Sequence, residues 1–169
     1  MEDTLGANSE HTDTDAGPID PPMSSYERRI LASLRRTLGW PYSVFKVRDS
    51  IVNDAKLSWN PDFWVEKRGK KILVVRVLSP DTTLANLDLR MRDAFATMSL
   101  NHIYHKRIAL SAPHGVLILP DAVSFLPNDN YSAYAQAFDE IGCEIIAEKD
   151  IGELELYKDD EDRHAKVAN

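Results

Sequence analysis

Between Ser25 and Leu38 the apolar residues Ile30, Leu31, Leu34 and Leu38 return at intervals of three and four, while Arg28, Arg29, Arg35 and Arg36 fill much of the remaining circumference. That spacing predicts an amphipathic helix. Gly39 supplies its stop and Trp40-Pro41 turns the chain. The segments YSVFKV and DSIV that follow are β-branched and aromatic, which predicts a strand or a bent strand pair. A loop is expected around residues 56–60. Two more strands, over residues 63–66 and 71–78, flank a hairpin at Arg68-Gly69. The second reads KILVVRVL and lacks the in-out alternation of a half-exposed strand. It is therefore expected at the centre of a sheet with helices on both faces. Ser79-Pro80-Asp81-Thr82-Thr83 breaks the strand, and Leu84, Leu87, Met91, Phe95 and Met98 then mark a long helix running towards Tyr104. GVLILP predicts another buried strand, residues 131–141 a helix closed by Gly142, and CEIIAE a last strand.

The expected architecture is α/β: a single domain with a central mixed sheet and helices on both faces. A length of 169 residues with 43% apolar content suits one ordinary core. Charge sharpens the boundaries. Residues 1–24 hold six acids and no Lys or Arg, and residues 152–169 hold six acids against three bases. The middle carries fifteen acids and seventeen bases, so the net charge of −7 resides in the ends. Residues 1–23 and 158–169 are expected to be disordered acidic tails around a domain over 24–157. No run of eighteen apolar residues occurs and the N-terminus is polar and acidic. A soluble, intracellular, cytoplasmic protein without membrane contact is expected. Cys143 lies in the apolar run GCEIIA and reads as a small core residue. His11, His102, His105, His114 and His164 form no zinc-type spacing with Cys or acids.

The segment from Asn60 to Pro80, NPDFWVEKRGKKILVVRVLSP, places Pro61-Asp62 at the head of one hairpin strand and an apolar strand opposite it. This resembles the PD-(D/E)XK nuclease-like, or restriction-endonuclease-like, superfamily, whose pattern pairs such a Pro-Asp with acid-x-Lys on the partner strand. Residues two apart on a strand share a face, so that acid and lysine point into one metal site. Here the positions are either Val75 and Val77 or Val74 and Arg76, and in both registers the acid is missing. An arginine binds phosphate but does not readily exchange a proton. The resemblance implies a degenerate member, with the order helix, three strands, helix, strand, helix, strand over about residues 25–150.

If chemistry survived, the resemblance implies a Mg- or Mn-dependent DNA endonuclease using Asp62, with Glu27 as helper carboxylate and Asp88, Asp93 or Glu66 as a relocated acid. Asp62 and Glu27 would be the metal ligands. Each has a plainer role: Ser24, Ser25, Tyr26 and Glu27 spell a capping box, and Asp62 suits a turn after proline. If chemistry was lost, no cofactor is expected and the fold serves as a binding or assembly module for nucleic acid, a protein partner or a second copy as a homodimer. The candidate phosphate contacts are Lys67, Arg68, Lys70 and Lys71 at the hairpin tip, Arg76 on the strand, Arg90 and Arg92 on the long helix, and Lys106 and Arg107 near its end. Trp64 is expected in the core, with Trp40 and Trp59 open between core and interface.

Overall fold

Backbone pairing assembles the apolar runs into one mixed sheet. The computed structural model describes residues 22–48, 51–52, 56–108, 112–123 and 129–154; residues 1–21 of the expected N-terminal tail, the expected tail over 158–169 and the C-terminal limit of the domain lie outside these. The elements in order are α1 (Ser25–Leu38), β1 (Tyr42–Lys46), β2 (Ile51–Val52), β3 (Ser58–Trp59), β4 (Phe63–Lys67), β5 (Lys70–Val77), α2 (Leu84–Ile108), β6 (His114–Leu119), α3 (Asp129–Glu140) and β7 (Cys143–Ala147), followed by a 3-10 turn over Glu148–Glu153. The sheet order is β1-β4-β5-β6-β7. β1, β4 and β5 run antiparallel to their neighbours, whereas β5, β6 and β7 are parallel. β2 and β3 form a separate two-stranded ribbon.

The expectation of an α/β domain with both faces covered holds, and β5 is central. Its Leu73, Val75 and Val77 enter a core with Ile30, Leu31 and Leu34 of α1, while Val74 enters the opposite core with Met91 and Met98 of α2 and Phe138 of α3. The capping box forms: Ser24 Oγ accepts from the Glu27 amide, and Glu27 Oε2 accepts from the Ser24 amide at 2.8 Å. Gly39, at φ 57°, ends α1 in a backbone region that glycine enters without penalty.

The structure departs from expectation in three places. Ser58–Trp59 is a strand, not loop, and Trp59 is buried against Tyr104 of α2. The 3-10 turn buries Ile151 against α1, with Arg29 Nε bonded to Glu148 at 2.7 Å. Leu84 is exposed instead of joining the α2 stripe, whose Leu87, Met91 and Met98 are buried. Trp64 and Cys143 are in the core, and burial raises the thiol far above its ordinary pKa. Trp40 is 92% exposed. Among the described residues no helix is long and apolar enough to cross a membrane.

Candidate functional site

The register of β4 against β5 decides what surrounds Asp62. Its amide donates to the Val75 carbonyl at 2.8 Å, and its Oδ2 accepts the Val77 amide at 2.7 Å, so the carboxylate sits across the end of β5. Val75 and Val77 point into the α1-side core. Arg76 points the other way and meets the site. Its Nη1 lies 3.3 Å from Asp62 Oδ2 and 3.2 Å from the Asn60 carbonyl, and its Nη2 lies 3.0 Å from Asp93 Oδ2 on α2.

On the α1 side the counterpart is Lys46, the last residue of β1. Tyr42, Val44 and Lys46 share a strand face, and Lys46 crosses the Phe63 ring to bond Glu27, with its Nζ 3.5 Å from Asp62 Oδ1. Glu27 thus caps its own helix and pairs with Lys46. Burial raises the Glu27 carboxyl, but the hydrogen bonds from Lys46 and Ser24 outweigh it and leave its pKa below the ordinary value. The result is a chain of alternating charge, Glu27, Lys46, Asp62, Arg76, Asp93, with side chains 12% to 24% exposed over its first four members.

Glu27, Asp62, Arg76 and Asp93 line a cleft of about 350 Å³ at the end of the sheet, together with Ser24, Ser79, Pro80 and Arg90. The three acids of the cleft converge on two cations, not on a common point. Among the described residues no three His, Cys, Asp or Glu side chains are placed to hold a metal. The donor set in this arrangement does not fit a divalent ion: Asp62 and Glu27 spend their oxygens on Lys46, Arg76 and backbone amides, whereas such an ion needs several of those oxygens turned inward.

Several expected residues lie elsewhere. Asp88 is not a cleft acid; it pairs with Arg92 at 2.9 Å and accepts from the Tyr134 hydroxyl of α3. On a helix turning about 100° per residue, Asp88 and Asp93 point roughly 140° apart, which is why Asp93 reaches Arg76 and Asp88 cannot. Arg92 is drawn to the same α3 contact, and hydrogen bonding with Tyr134 and the charge of Asp88 raise its pKa. Arg90 does line the cleft, in an exposed pair with Asp81 at 3.5 Å. Glu66 lies opposite Lys71 in the β4–β5 register, away from the cleft.

Lys67, Arg68, Lys70 and Lys71 lie at the hairpin end of β4 and β5, and Lys106 and Arg107 in the last turn of α2. Lys71 Nζ stands 4.3 Å from the Trp64 ring centroid, and Trp64 meets His105 edge to face at 5.4 Å. His105 is held below its ordinary pKa by burial and then by the charge of Lys71. Trp64 therefore sets Lys71 of the hairpin near His105 of α2, the residue that precedes Lys106 and Arg107. Lys67 Nζ lies 5.5 Å from the Tyr42 ring centroid, on the other side of the hairpin. Residues 66–71 and 105–107 together hold six Lys and Arg residues and one acid, Glu66.

Lys46 is the site residue that the sequence pattern passed over. A lysine two residues beyond the buried Val44 of the same strand face was the available signal. No protein-family model and no curated protein matches the chain.

Proposed function

We propose that this chain is a catalytically inert relative of the PD-(D/E)XK nuclease-like superfamily that binds nucleic acid through the basic end of its sheet. The observation that carries the reading is the Trp64 contact that sets Lys71 of the hairpin near His105, next in sequence to Lys106 and Arg107, and so links two basic segments that the sequence keeps about 35 residues apart. A cluster of this kind attracts a polyphosphate backbone by displacing its condensed counterions and needs no base contact. Inertness is supported by the valines at positions 75 and 77 and by Lys46 and Arg76, which compensate the cleft acids.

One observation favours a second reading, a Mg- or Mn-dependent DNA endonuclease: Glu27, Asp62 and Asp93 line the same cleft. That reading requires Lys46 and Arg76 to release their carboxylates when the ion enters.

Fluorescence anisotropy with a labelled 30-base-pair duplex, run across a salt series, tests the first reading. Affinity should fall with salt at a log-log slope of about −0.9 per phosphate contact. Lys70→Glu combined with Lys106→Glu should weaken binding at least tenfold. Salt-insensitive binding, or none, ends the nucleic-acid reading. Plasmid nicking in manganese that disappears in Asp62→Ala would replace the inert module with the endonuclease.

A further inference from the structure

α2 is apolar on two opposite faces. Leu87, Met91, Ala94 and Met98 turn into the core. At about 100° per residue, Ala85, Leu89, Ala96, Leu100 and Ile103 fall on a second line roughly opposite. That line faces solvent: Leu89 is 70% and Ile103 55% exposed, Ala85 and Ala96 are exposed, and Leu100 is half-buried. A surface helix normally keeps its outer face polar, and one that is apolar all round is a buried helix.

We propose that this outer face is covered by the same face of a second copy of the chain, packed antiparallel across a two-fold axis at Ala96. Three features select that occupant. Leu89, Ala96 and Ile103 are spaced by seven, the interval that keeps a seam aligned between two helices crossing at a shallow angle. The line is symmetric about Ala96, so an antiparallel copy sets Leu89 of each chain against Ile103 of the other, with the small alanine where the helices approach closest. Charge fixes the direction. The C-terminal turn of α2 holds Lys106 and Arg107 and no acid, whereas its first half carries Asp88 and Asp93 beside Arg90 and Arg92 and is close to neutral. Arg107 continues the line of the stripe and comes opposite Ala85 of the second copy, away from the other basic end. A parallel pair would instead stack the two basic ends.

Sedimentation velocity over a concentration series and disulfide trapping test the proposal together. The protein should be dimeric, and Leu89→Gln with Ile103→Gln should make it monomeric with a melting temperature changed by no more than a few degrees, because neither side chain belongs to the core. Ala96→Cys should form a covalent dimer on mild oxidation, without competition from Cys143, which is buried. Leu89→Cys alone should not cross-link, since antiparallel packing holds the two positions 89 about 21 Å apart at a rise of 1.5 Å per residue and a disulfide spans under about 7 Å. Leu89→Cys with Ile103→Cys should cross-link. A chain that stays monomeric, a dimer that survives the double Gln substitution, or Leu89→Cys cross-linking as readily as Ala96→Cys overturns the proposal.

Discussion

Asp62 holds together three stretches of chain that are distant in sequence: its carboxylate receives the Val77 amide, the Arg76 guanidinium and the Lys46 ammonium. Removing it leaves a part-buried amide without its partner, which costs about 1–3 kcal/mol. The two cations are not stranded. Lys46 keeps Glu27, and Arg76 keeps Asp93 and the Asn60 carbonyl. The full penalty of about 3–5 kcal/mol for orphaning a buried charge therefore does not apply, and Asp62→Ala should lower stability by about 2 kcal/mol in urea unfolding. A loss below about 0.5 kcal/mol would mean that the carboxylate contributes no more than an exposed pair. Sequence reading reached Asp62, Glu27 and Arg76 because each belongs to a local signature: a turn, a capping box, and an isolated charge in an apolar strand. It missed Lys46, whose role exists only once β1 lies beside β4 and Lys46 is set opposite Phe63. It left Asp88 and Asp93 as alternatives because spacing along a helix does not say which face meets the sheet until neighbouring elements are placed.

The elements themselves were largely legible where apolar residues are periodic or run together. α1 carries its apolar residues at helical spacing, β4, β5 and β6 are short apolar runs, and their observed bounds fall within two residues of the expected ones. The two-residue strands β2 and β3 are too short to show any period, and the 3-10 turn depends on a contact with α1. Packing between elements is also tight where no motif announces it. Gly115, on β6, has Met98 of α2 and Cys143 of β7 pressed against the place a side chain would start: an added methyl would lie 2.8 Å from Met98 Cε and 2.9 Å from Cys143 Cβ. The methionine end can swing away, but the Cys143 Cβ is fixed to its strand. Gly115→Ala should thus push β6 and β7 apart and cost about 1–3 kcal/mol. Chemical denaturation measures this directly, and an unchanged midpoint would show that the β6–β7 spacing is soft.

At the scale of the whole molecule, the basic end and the outer face of α2 combine into a prediction that neither makes alone. His105 and Trp64 anchor the cationic cluster nine residues from Ala96, so an antiparallel dimer carries two such clusters about 27 Å apart along the helix direction at 1.5 Å per residue. One duplex can bridge that separation. Bridging makes the second contact intramolecular and raises the overall affinity without any new interaction, and it doubles the phosphates neutralised per bound molecule. Leu89→Gln with Ile103→Gln leaves every charge in place while removing the pairing, so it isolates the effect. The monomeric variant should bind a 30-base-pair duplex more weakly and with roughly half the salt slope of the dimer. Shortening the duplex below the span of both clusters should erase the difference between the two proteins. If the variant and parent kept equal slopes on the long duplex, each cluster would be engaging DNA alone, and the dimer would have to be explained by something other than nucleic-acid binding.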